Sequence, residues 1–156
     1  MTTRNYWIGV VSKSHVEAAV AGGFTQLNYG KADALERMRQ GDGLVFYSPR
    51  TGHQDGDRVQ AFTAIGRITN GAIFQGEEAD GITPFRRQAS YLAAHEAPIK
   101  PLIETLTFIR NKDHWGATFR FGAVRVPAED FARIAAAMGR DFATEAVHVN
   151  ISRRGP

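Results

Sequence analysis

Cysteine is absent from all 156 residues. That excludes a disulfide framework and any thiolate chemistry, and it fits a reducing cytoplasm, the expected location. No apolar run approaches the ~20 residues that a membrane-spanning helix needs. The opening Met-Thr-Thr-Arg-Asn-Tyr-Trp also lacks the basic-then-apolar order of a signal peptide, so no membrane partner is expected. Lysine is scarce: it supplies four of the 19 basic residues and arginine the other fifteen. A GC-rich genome raises arginine everywhere and accounts for most of this bias. The functional counterpart is that arginine's planar fork suits phosphates and base edges better than lysine does.

Reactive motifs are lacking too. Gly30-Lys31 suggests a phosphate loop, but the position five residues earlier is Thr25 rather than glycine, and Ala32 follows the lysine. The histidines at 15, 53, 95, 114 and 148 form no i,i+4 pair and have no cysteine partner, so no metal site is expected. No Gly-x-Ser-x-Gly elbow is present, and the carboxylates are scattered. The reading is a protein with no catalytic residues, no cofactor and no enzymatic activity.

What is present is ordinary globular material: 43% hydrophobic and 22% charged residues over a length suited to one domain, 1–156. Strand patterning starts at once. In 5–12, Tyr6, Ile8 and Val10 alternate with Trp7, Gly9 and Val11. Ser14 and Glu17 have capping-box spacing for a short helix that buries Val16, Ala19 and Val20 and stops at Gly22-Gly23. A second short helix starts at Asp33, and Gly41 stops it. The stretch "DGLVFYSPR" (42–50) is unusual, because Leu44 and Phe46 line one face while Val45 and Tyr47 line the other. Both faces of this strand must be covered.

Further strands are expected at 59–69, with Ile65 facing away from Phe62, and at 84–92. A tight Asn70-Gly71 hairpin turn is expected to lead into 72–74. After a short helix at 101–106, another strand is expected at 114–124. "PAEDFARIAAAM" (127–138) is the clearest helix, with Phe131, Ile134, Ala135 and Met138 on one side. Val147 and Val149 allow a last short strand. The fold class is α+β, built from several short strands with helices at the edges, as a curled sheet or small barrel.

The candidate binding residues are aromatic and polar groups at strand ends and loops: Trp7, Ser12, His15, Tyr29, Lys31, Tyr47, Ser48, Arg86 and Trp115. Gly9 beside Trp7 suggests open space for a planar heterocycle, and base-on-aromatic stacking contributes about 1–3 kcal/mol. Taken singly, each aromatic is more simply a core residue that bonds its polar tip locally.

The runs "YWIGVVSKSHV", "GGFTQLNYGK", "LERMRQGDGLVFYSPR", "QAFTAIGRI", "PFRRQASYL" and "PIKPLIETLTFI", with Trp115-Gly116 beyond, resemble the EVE domain of the PUA-like superfamily, and within it the stand-alone bacterial proteins. The likeness spans about Asn5 to Met138. It implies a PUA-like β-barrel of about five to six strands with peripheral helices, and a pocket for a modified nucleobase flipped out of DNA or RNA. In that pocket it carries over Trp7, Ser12, the Tyr29-Gly30-Lys31 stretch and Tyr47-Ser48. Phe85-Arg86-Arg87 and Trp115-Gly116 resemble the bacterial subgroup alone. With nucleic acid as partner, Arg50, Arg86 and Arg87 should rim the pocket, while Arg37, Arg39 and Arg133 lie on solvated faces. A small-molecule sensor or nucleotide-processing enzyme using the same pocket, and a protein-interaction adaptor, are the alternatives. The sequence does not decide oligomeric state.

Overall fold

The strand at 43–50 is buried on both sides, as its apolar composition demands. In the computed structural model, which describes residues 4–27, 31–52, 55–78 and 81–142, Gly43–Arg50 (β3) has six fully buried residues in succession, Gly43 to Ser48. Tyr6–Val10 (β1) pairs with it in parallel, and Arg58–Gln75 (β4) pairs antiparallel on the other side. Phe24–Thr25 (β2), Phe85–Tyr91 (β5), Ala97–Pro98 (β6) and Ala123–Val126 (β7) complete a seven-stranded sheet. Its path is β2-β5-β4-β3-β1-β7, with β6 on β4. The sheet curls as a half-barrel carrying a few helices. Two of the strands have only two residues each.

Each face has its own core. Ile8, Val45, Tyr47, Phe62 and Ile65 share one with Phe131, Ile134, Ala135 and Met138 of the helix Ala128–Ala137 (α3) and its C-cap. Trp7, Leu44, Phe46, Ala64 and Ile68 share the other with Val16 and Ala19 of Lys13–Gly22 (α1), and with Ala34 and Leu35 of Asp33–Glu36 (α2). Burying each large apolar side chain contributes about 1.5–3 kcal/mol, so both faces of β3 are strongly specified.

Local expectations are corrected where pairing or packing competes. Ser12, not Ser14, caps α1, accepting from the His15 amide at 3.3 Å, because the helix starts at Lys13. Gly23 ends it at φ 69°, the left-handed conformation glycine tolerates. Val20 is 42% exposed, because only Val16 and Ala19 of this helix face the sheet. Phe62 and Ile65 lie in the same core rather than on opposite faces. The register shift after Phe46 leaves Thr63 as an extra residue in β4 and breaks the alternation.

No hairpin forms at Asn70-Gly71. β4 runs through both, since β5 pairs with Gly66–Ile68 on one side and Ile73–Gln75 on the other, with a register shift between them. The strand expected at 114–124 is replaced by 3-10 turns over Lys112–Arg120, capped by the Asn111 side chain at His114 N, before β7 begins at Ala123. The short helix expected at 101–106 is a single 3-10 turn at Lys100–Leu102. Val147 and Val149 lie outside the described residues.

Candidate nucleic-acid interface

The predicted site residues divide among three places. On the α3 face, Tyr47 is 2% exposed and stacks on Phe119 at 4.3 Å, with Trp115 meeting it edge-on at 6.5 Å. Burial pushes the Tyr47 hydroxyl up to about 12, and it makes no hydrogen bond among the described residues. Tyr47 and Trp115 are brought together, but as parts of a packed aromatic core. The expectation that one face of β3 borders an open pocket is corrected: at 43–48 both faces are packed.

On the opposite face Trp7 is 3% exposed. Its Nε1 donates to Asp42 Oδ2 at 2.9 Å. Asp42, itself 1% exposed, also accepts from the amides of Asn5 at 3.1 Å and Arg39 at 2.9 Å. The space expected beside Gly9 is filled, since a Cβ there would meet Leu27 at 2.6 Å and Phe46 at 3.0 Å. A cleft of about 400 Å³ opens at the edge of the indole, lined by Asn5, Trp7, Glu36, Arg37, Arg39 and Arg125.

The third place collects polar groups from α1, β2 and β5. Arg86 lies over the Phe24 ring, its guanidinium carbon 3.9 Å from the centroid, and its Nε donates to Gln26 Oε1 at 2.9 Å. Gly76 makes room on the guanidinium, where any Cβ would come within 2.3 Å of Nη1. The terminal nitrogens of Arg86 have no acceptor among the described residues. His15 Nε2 lies 3.0 Å from the Gln26 carbonyl. A carbonyl only accepts, so Nε2 carries the hydrogen and the neutral ring presents Nδ1 as an acceptor. Burial, helped by the Arg86 charge, holds His15 below its usual value and so keeps it neutral, against the opposing pull of the Gln26 bond and of Glu78.

Ser12 stands at the start of the same helix, its Oγ spent on the cap and 3.2 Å from Ser14 Oγ. Ser48 is fully buried, 2.8 Å from Thr63 Oγ1. Lys31 is exposed, and Tyr29 and Gly30 lie outside the described residues.

The model of the EVE domain matches residues 5–137. The chain belongs to the EVE domain family. It is similar to the UPF0310 protein msl3206 of Mesorhizobium japonicum, 48% identical over 136 residues, covering 86% of this chain and 91% of that one. A UPF0310 protein of Mycolicibacterium gilvum is 46% identical over 136 residues, covering 87% and 96%. Among solved structures, Rpa0253 from Rhodopseudomonas palustris shares the fold, with a TM-score of 0.54 and 16% identity over 86% of this chain and 93% of that one.

In this EVE domain the expected arginine rim is corrected. Arg87 is 3% exposed and donates Nη1 to the carbonyls of Leu35, at 2.7 Å, and Met38, tying β5 to the end of α2. Arg50 folds back to the Gly56 carbonyl at 3.0 Å. Arg37 and Arg39 are exposed, as expected, though they lie at and just past the end of α2, and both line the Trp7 cleft. Arg133 does lie on an exposed helix face, paired with Asp130 at 2.7 Å. Sequence reasoning missed Phe24, Gln26, Asp42 and Gly76. Nothing in their spacing marks them, because their roles come from packing between segments far apart in the chain.

Proposed function

We propose that this EVE domain is a nucleic-acid-binding module that reads a modified base at the Arg86–His15 site, with Gln26 positioning both. The observation that carries the reading is the Arg86 guanidinium. It is fixed by Phe24, Gly76 and Gln26, yet its terminal donors have no acceptor among the described residues. A positioned fork with unused N–H groups suits a planar acceptor edge, and the neutral His15 Nδ1 supplies the complementary acceptor for an N–H. Family membership supports the ligand class. The proposal assigns binding and no chemical step.

The test is anisotropy titration of oligonucleotides that differ only in one modified base. Arg86→Ala should lower affinity for the preferred oligonucleotide by roughly 5- to 150-fold, the equivalent of about 1–3 kcal/mol for a bidentate contact. Arg86→Lys keeps the charge but not the fork and should restore little of it. A folded Arg86→Ala protein that binds and discriminates like the parent would overturn the reading.

A further inference from the structure

The cleft over Trp7 is separate from the Arg86–His15 site and has a different chemistry. We infer that it is a phosphate site, holding a backbone phosphodiester of nucleic acid whose base is read elsewhere; the inference rests on the function proposed above. Three arginines reach it from two parts of the chain. Arg37 caps the C-terminus of α2 and sets its guanidinium 5.6 Å from the Trp7 ring. Arg39 follows, its amide held by Asp42. Arg125 sits directly across from Trp7 in the β1–β7 register. All three side chains are exposed, and none has a carboxylate partner among the described residues.

The rest of the cleft fits an anion. Asp42 lies behind the floor, its oxygens taken by Asn5, Trp7 and Arg39, so it fixes the indole. Glu36 is the one carboxylate in the lining, and it pairs with none of the three arginines. A space of about 400 Å³ lies within the range of small-ligand sites and admits a phosphate with its sugar. Elsewhere Arg50, Arg87 and Arg133 each commit a terminal guanidinium nitrogen to a protein acceptor. The cleft arginines keep theirs, and arginine stays charged at every physiological pH.

The experiment is salt-dependent binding of an unmodified DNA oligonucleotide to the parent protein and to Arg37→Gln/Arg39→Gln/Arg125→Gln. Arg125→Gln alone serves as a second, milder variant, and Arg110→Gln as an exposed control. Because the cleft holds one phosphodiester, the slope of log affinity against log salt should flatten by about 1 in the triple variant and by a fraction of that in Arg125→Gln. Arg110→Gln should leave it unchanged.

Trp7 fluorescence in a Trp115→Phe background separates the sources. A response to the oligonucleotide but not to inorganic phosphate or a nucleoside monophosphate supports a backbone site. A response to the free anions, with the oligonucleotide slope unaltered, overturns the backbone assignment. Parent-like slopes in both variants with silent fluorescence overturn the phosphate site altogether. Loss of modified-base preference in the parent itself would count against the Arg86–His15 reading, while the slopes would still decide the cleft.

Discussion

Trp7 and Tyr47 stand back to back across the sheet. Trp7 lies in the core beneath α1 and α2, with Leu44 and Phe46; Tyr47 lies in the core beneath α3, stacked on Phe119. Because β1 and β3 run parallel, with Trp7 beside Leu44 and Val10 beside Tyr47, the odd positions of one strand and the even positions of the other share a face. No single planar ligand can touch both rings. Their aromatic character therefore reports on packing first.

Tyr47→Ala should lower unfolding free energy by about 3–5 kcal/mol, as removing a buried aromatic does, without changing oligonucleotide affinity of the folded fraction. Tyr47→Phe removes a hydroxyl with no described partner and should cost less than about 1 kcal/mol. Urea titration measures both. A Tyr47→Ala protein that melts like the parent and binds poorly would return Tyr47 to the binding site.

Trp7→Phe keeps most of the ring but deprives buried Asp42 of a donor, leaving Oδ2 with the Arg39 amide. The expected cost is about 1–3 kcal/mol, the penalty for a buried acceptor losing a partner. Trp7→Phe/Asp42→Asn closes a double-mutant cycle on that bond. Additive losses would show that the indole N–H contributes nothing specific.

Gly9→Ala should destabilise rather than fill a void. The new methyl would meet Leu27 and Phe46, both buried, at distances that force them to move. Overpacking of this kind costs about 1–3 kcal/mol. A neutral or stabilising result in denaturant titration would mean that the second core is looser than described.

His15 makes stability depend on pH. Its folded value lies below the usual 6.5, so on acidification the unfolded chain takes up a proton first. The stability it contributes is fully present above 6.5 and is lost as pH falls through the lower folded value. His15→Gln should flatten this slope. Modified-base affinity should also fall on acidification, because the imidazolium has no Nδ1 acceptor. An affinity that rises at acid pH would show that the charged ring is the binding form.

Much of this architecture can be read along the chain. The double-sided apolar run at 43–48, the alternation at 6–11 and the amphipathic helix holding Phe131, Ile134 and Met138 are written in local periodicity, which survives because tertiary packing agrees with it. The EVE motifs are carried the same way. Register and competition between neighbours are not local. Asn70-Gly71 has strong turn chemistry, yet β5 offers pairing on both sides of it, and an interstrand ladder outweighs a two-residue preference. A single extra residue at Thr63 reverses which side chains of β4 share a core. The arginines show the same division most plainly. Their number is a property of the sequence. Arg87 is buried on two carbonyls and Arg37 and Arg39 are gathered over Trp7 only because distant segments meet there, since a guanidinium's role is set by the acceptors and rings that folding brings to it.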